Sequence, residues 1–154
     1  MIPVAAAILM DGHGRVLLTQ RPELGANARK WEFPGGKLRE GETPEECLRR
    51  ELAEELGIQV EVGDVFHVVS HGCEGGSILL LAYFCGWRGG EIRLSEHLAC
   101  QWAEIHRVPE FDLADADRPI AEKLLRCSTP PRSWIKRKGR SWPSLETWVQ
   151  KGSE

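Results

Sequence analysis

No stretch of this 154-residue chain is apolar over anything near the ~20 residues that a membrane-spanning helix needs. The N-terminal residues lack the basic-then-apolar layout of a secretory leader, so the expectation is a cytoplasmic chain. Basic residues are in the minority, 20 against 23 acidic for a formal net charge of −3. That balance argues against a broad nucleic-acid-binding surface. Cysteine is sparse and odd in number. Cys47, Cys73, Cys85, Cys100 and Cys127 lie scattered along the chain, which excludes a disulfide framework and fits reduced thiols. His71 and Cys73 are close in sequence, but no matching pair elsewhere completes a zinc site. There is no internal repeat or low-complexity tract, and no Ser/His/Asp or Cys/His spacing that suggests a covalent nucleophile.

What is there is the make-up of an ordinary globule, 42% apolar and 28% charged, and long enough to bury a real core. The apolar run Val4–Met10, an Asp11-Gly12 turn and a second run at Arg15–Gln20 predict a β-hairpin. The polar stretch 21–30, with Pro22 and Gly25, reads as a surface loop, and Trp31–Phe33 as a short strand. Gln59–Val62 and Val65–Ser70 read as strands broken by Gly63-Asp64. Gly72–Gly76 is a turn. Ser77–Trp87 is the most apolar run and so the expected central strand; Cys100–Glu104 follows as a last strand. Asp117–Arg126 has the pattern of a terminal helix with Ile120 and Leu124 inward. After Cys127 the composition shifts. The expected division is a domain over 1–126 and an extension over 127–154, with Arg132, Lys136, Arg137, Lys138 and Arg140 interleaved with Trp134, Trp142 and Trp148.

The stretch GKLREGETPEECLRRELAEELGI, residues 36–58, carries the chemistry. Thr43 is a good N-cap, Pro44 suits the first helical position, and Glu46 completes a capping box. Gly57 supplies the left-handed residue that ends a helix. Leu48, Leu52 and Leu56 recur at i, i+4, i+8 and form a buried stripe. Glu51, Glu54 and Glu55 share the neighbouring stripe, where like charges oppose helix formation by a few tenths of a kcal/mol per pair. The two later ones also lie towards the helix C-terminus, where the dipole disfavours anions. Divalent cations would cancel these penalties, and oxygen-only ligands point to Mg²⁺, with Mn²⁺ the alternative, rather than zinc.

Gly36, five residues, Glu42, seven residues, then Arg50-Glu51-Leu52-x-Glu54-Glu55-x-Gly57-Ile58 matches every fixed position of the Nudix box. With WEFPGGK at 31–37, the chain resembles the Nudix hydrolases, and among them the MutT-like nucleoside triphosphate pyrophosphohydrolases, from about Val4 to about Arg126. The resemblance implies an α/β (α+β) fold, an α/β/α sandwich around a mixed sheet. It implies that Glu51, Glu54 and Glu55 hold the metal with the Gly35 carbonyl, and that Glu51 orients or deprotonates the attacking water. Arg50 would fix Glu51 by a charge-assisted hydrogen bond, and Glu42 would support the loop–helix junction. Glu96, with Glu91 as its competitor, matches a further catalytic and metal-binding glutamate.

Arg21 and Lys37 are the candidate phosphate contacts. Phe33 is a candidate to pack against the base, with core packing as the alternative. Asp117 stands where MutT has an asparagine that reads oxidised guanine; its alternative role is the N-cap of the terminal helix. The implied activity is Mg²⁺-dependent cleavage of a nucleoside triphosphate, oxidised purine or cytidine-type, to the monophosphate and pyrophosphate in nucleotide-pool sanitation. Nucleotide sugars, dinucleoside polyphosphates and a non-catalytic nucleotide-binding module are the alternatives. The expected partner is a small nucleotide, with nucleic acid reached at most through the basic tail, for which docking on the domain is the preferred reading.

Overall fold

The computed structural model describes residues 1–127; the expectations for the basic extension lie outside the described residues. Two sheets form the centre. The first is mixed, in the order β4 (Gly35–Lys37), β1 (Ile2–Leu9), β6 (Gly76–Gly90), β5 (Ile58–Cys73), with β1 and β6 parallel and the other pairs antiparallel. The second is antiparallel, in the order β3 (Trp31–Glu32), β2 (Arg15–Gln20), β7 (Ala99–Glu104). Helix α1 (Pro44–Leu56) and helix α2 (Arg118–Arg126) cover opposite faces. This is the expected α/β/α arrangement around a mixed sheet.

Strand alternation explains the layering, because successive side chains point to opposite faces. Ala5, Ala7 and Leu9 pack with Leu48, Leu52 and Leu56 of α1. Ala6 and Ile8 pack with Ile120, Ala121 and Leu124 of α2. A strand apolar on both faces belongs inside a sheet covered on both sides. That requirement overturns the predicted hairpin. The chain does turn at Asp11, whose Oδ1 accepts from the backbone N–H of His13 at 2.8 Å and of Arg15 at 2.9 Å. But β1 and β2 then part into different sheets, joined by a bridge between Met10 and Val16.

The predicted break at Gly63-Asp64 is likewise a bulge, not an end: β5 runs on from Ile58 to Cys73, with register shifts between Gln59 and Val60 and again between Val62 and His67. The expected central strand is central, β6 lying between β1 and β5. Asp117 precedes α2 but makes no side-chain cap hydrogen bond. The helix-cap reading is therefore replaced by another contact, described below.

Candidate active site

Helix α1 begins and ends as its sequence dictates. Thr43 Oγ1 accepts from Glu46 N at 3.1 Å, Glu46 Oε2 accepts from Thr43 N at 3.2 Å, and Gly57 closes the helix at φ 70°. With the leucine stripe in the core, Glu51 is laid against β4. A Cβ added to Gly36 would stand 2.4 Å from the Glu51 carboxyl carbon. Gly36 is bare because Glu51 occupies that space.

Arg50 ties the pieces together. Its Nε and Nη2 grip both oxygens of Glu42, at 2.7 and 2.9 Å, in the two-pronged geometry of the strong guanidinium–carboxylate pairs. Its Nη1 donates to Glu51 Oε1 at 2.8 Å and to Glu54 Oε2 at 3.3 Å, and Nη2 reaches the Lys37 carbonyl at 3.2 Å. The Arg50 bonds, then the Arg39 N–H, hold the Glu42 carboxyl down to about 2. Glu42 is thus a permanent anion that locks the loop to the helix.

On the other side of α1 the balance reverses. Burial pushes Glu55 up to about 7, with Glu51 and Glu32 adding and His97 opposing. Its Oε2 is buried without a hydrogen-bond partner. His97 Nε2 lies 4.0 Å from that oxygen and 3.5 Å from Glu32 Oε1. Burial works against the charged imidazole, but Glu32 and then Glu55 outweigh it and hold His97 above its ordinary value. Glu32 Oε2 in turn accepts from Arg21 Nη1 at 3.0 Å. The loop bearing His97 is pinned to the end of α1 by Arg93 N on the Leu56 carbonyl and Ser95 N on the Glu55 carbonyl, at 2.8 and 3.3 Å.

Asp117 closes the row. Its Oδ1 accepts from Phe33 N at 3.0 Å, joining the strand before the Pro34-Gly35-Gly36 turn to the head of α2. Burial, then the Glu32 charge, pushes its carboxyl up to about 8, against the opposing Phe33 N–H and Arg21. This carboxyl keeps its proton at neutral pH.

The structure brings Glu51, Glu54, Arg50 and Lys37 together on one side and Glu55 towards His97 and Glu32 on the other. It does not bring all the expected residues in. Glu96 is exposed and makes no hydrogen bond or ion pair among the described residues; its neighbour His97 is the one turned inward. The Phe33 ring, 2% exposed, is core, and what Phe33 offers the site is its N–H. Arg21 is held by Glu32 and by the Ala26 carbonyl at 2.9 Å rather than standing free for phosphates. Gly35 owes its lack of a side chain to β1, since a Cβ there would fall 1.9 Å from the Ala5 carbonyl oxygen. Glu32 and His97 were missed from sequence. The available signals were a carboxylate between two aromatic residues and a histidine beside the favoured Glu96.

Among the described residues no three His, Cys, Asp or Glu side chains converge as a ready-made metal cage. The donor set is nevertheless that of a hard cation. Glu51, Glu54 and Glu55 supply oxygens only, and a buried, unpartnered Glu55 oxygen among like charges is the defect a cation would remove. Magnesium keeps several waters and needs one or two carboxylates, so a closed cage is not required.

Residues 2–124 match the family model of the NUDIX domain. The chain is a Nudix hydrolase. It is 40% identical to an Escherichia coli CTP pyrophosphohydrolase over 84% of its own length and 97% of the relative's. With a putative 8-oxo-dGTP diphosphatase 2 of Mycobacterium tuberculosis it shares 41% identity, over 81% of this chain and 88% of that one. Among solved structures it is similar to the E. coli ORF135 protein, at TM-score 0.75 and 36% identity over 85% of this chain and 94% of that chain. The MutT protein of Methanosarcina mazei Go1 superposes at TM-score 0.75 with 27% identity, over 84% and 96%. As a MutT-like Nudix pyrophosphohydrolase, the chain has its box on α1 and the loop before it, and the unexpected partners Glu32 and His97 come from β3 and from the loop before β7.

Proposed function

We propose that this enzyme is a Mg²⁺-dependent, Mn²⁺-tolerant nucleoside triphosphate pyrophosphohydrolase that releases the monophosphate and pyrophosphate, acting on cytidine-type or oxidised purine nucleotides in the cytoplasmic pool. The observation that carries the reading is the crowding of Glu51, Glu54 and Glu55 around an unpartnered buried oxygen, next to a separately locked Arg50–Glu42 pair. Glu51, Glu54, Glu55 and the Gly35 carbonyl would hold the cation, with Glu96 joining from its exposed loop. The cation, when bound, neutralises phosphate charge and lowers the cost of deprotonating water. Glu51 then receives the proton of the attacking water or aims it, and Arg50 fixes the Glu51 carboxylate for that task. Lys37, exposed at the end of β4, pairs with phosphate oxygens. Arg21 contributes through Glu32, which it orients.

Asp117 supports the substrate class. A protonated carboxyl presents an O–H donor beside a C=O acceptor. Cytosine offers the complement, N3 accepting beside an N4 donor. So does 8-oxoguanine, O6 accepting beside an N7–H donor. The corresponding edge of unmodified guanine carries two acceptors and fails to match. The names of the relatives, one for CTP and one for 8-oxo-dGTP, agree with this pair of classes.

The test is a panel of purified nucleotides with Mg²⁺, scoring phosphate against pyrophosphate release. The expected result is pyrophosphate from CTP, dCTP or 8-oxo-dGTP well above dGTP. Glu51→Gln should lower kcat by about 10²–10⁴ with an unchanged circular-dichroism spectrum. Preferred hydrolysis of a nucleotide sugar or dinucleoside polyphosphate, or no hydrolysis at all, would defeat the reading.

A further inference from the structure

The Nudix site leaves one surface of the domain unexplained. Strand β5 is the edge of the mixed sheet, and among the described residues β6 is its one strand neighbour along 16 residues. Long open edges invite pairing with other chains, and proteins usually cover them. Val65 and Val68 on this edge are 48% and 51% exposed. They pair across the sheet with Tyr83 and Leu81, and these with Ala7 and Ala5 of β1, so all share the face that α1 covers farther along. The apolar surface continues past the helix into solvent.

The described chain ends beside that surface. In the last turns of α2, Lys123 Nζ donates to the Phe66 carbonyl at 2.5 Å and lies 4.6 Å from the Phe66 ring centre. His67 is depressed by burial first and then by the charges of Lys123 and Arg126, which places the end of α2 against the β5 edge. Residue 127 is followed by 27 more, enough for about 90 Å of extended chain. They include Trp134, Ile135, Trp142, Leu145, Trp148 and Val149. Charge agrees as well. Residues 128–154 hold six basic and two acidic residues, a net +4, against 14 basic and 21 acidic over 1–127, a net −7.

We propose that residues 128–154 dock back on their own domain, across the open edge of β5 and the apolar face around Val65 and Val68. The tryptophans would bury against the valines, and the basic residues would face the acidic domain. This occupant is favoured over a second copy because it is tethered a few residues from the surface, so its effective concentration is in the millimolar range.

Hydrogen exchange on the full chain tests it. In the wild type, β5 amides that do not pair with β6 should be protected. In the Trp134→Ala/Trp142→Ala/Trp148→Ala variant they should exchange about tenfold or more faster. A second arm uses Val68→Lys, at a surface position outside the catalytic machinery. It should leave nucleotide hydrolysis unchanged and speed tryptic cleavage at Lys136–Arg140 by about tenfold. Equal exchange in wild type and triple variant would overturn the proposal. So would an unaltered cleavage rate in Val68→Lys. Protection that vanishes on dilution, with sedimentation showing a dimer dissociating, would overturn it in favour of a second copy.

Discussion

Glu55 holds the central conflict of the site. Its carboxyl is buried beside Glu51 and Glu32, and one oxygen has no partner. Because the folded protein holds this proton more tightly than the unfolded chain does, stability is lost as pH rises from about 4.5 through about 7. Glu55→Gln removes that cost. In EDTA at pH 8 the variant should therefore melt several degrees above wild type, and at pH 4 the two should coincide. Adding Mg²⁺ should raise the wild-type Tm and leave the variant nearly unmoved. A variant less stable at pH 8 would show that Glu55 is structural. Asp117 follows the same sign with a different consequence. Its proton is lost as pH rises through about 8, and with it the donor offered to a base. Asp117→Asn keeps a donor, an acceptor and the Phe33 contact at every pH. Wild-type discrimination between CTP or 8-oxo-dGTP and dGTP should fade between pH 7 and 9, while Asp117→Asn should retain it. Parallel profiles would remove Asp117 from base selection.

At the scale of elements, two adjacent glycines do different jobs. Gly35 lets β4 approach β1, where a Cβ would meet backbone. Gly36 leaves space for the end of a flexible side chain, Glu51. Gly36→Ala should therefore fold with little loss of stability and lose kcat about 10²-fold by displacing Glu51. Gly35→Ala should be strongly destabilised, read as a fall in the denaturation midpoint. Equal stability loss in both would refute the division of labour. The contrast also explains what was legible in the sequence. Helix α1 was readable to the residue because Thr43, Glu46, the leucine stripe and Gly57 act within a few residues of each other. The hairpin between β1 and β2 was not, because nothing local says which strand pairs with which. Glu51, Glu54 and Glu55 were visible as a spacing on one helix. Glu32 and His97 were invisible as a pair, since β3 and the loop before β7 meet only in the fold. The Asp117 cap failed for the same reason: its acceptor is used by Phe33, 84 positions away.

For the whole molecule, the two helices look like covers of separate cores, but the cores share their strands. Ala5, Ala7 and Leu9 line the α1 core while Ala6 and Ile8, one residue away on the same strand, line the α2 core. Strand β6 does likewise, giving Cys85 and Trp87 to one and Leu80, Ala82 and Phe84 to the other. Neither face can melt without freeing β1 and β6 from the other, so loss of one helix should take the entire domain. Leu52→Ala in the α1 core and Ile120→Ala in the α2 core each remove a fully buried side chain and should each cost about 2–5 kcal/mol. Both should lower the same single transition, with far-ultraviolet and near-ultraviolet dichroism melting together and calorimetric and van't Hoff enthalpies equal. If Ile120→Ala instead produced an early transition that spared the α1 side, with Mg²⁺ still raising the later one, then the active-site layer would be an independent folding unit.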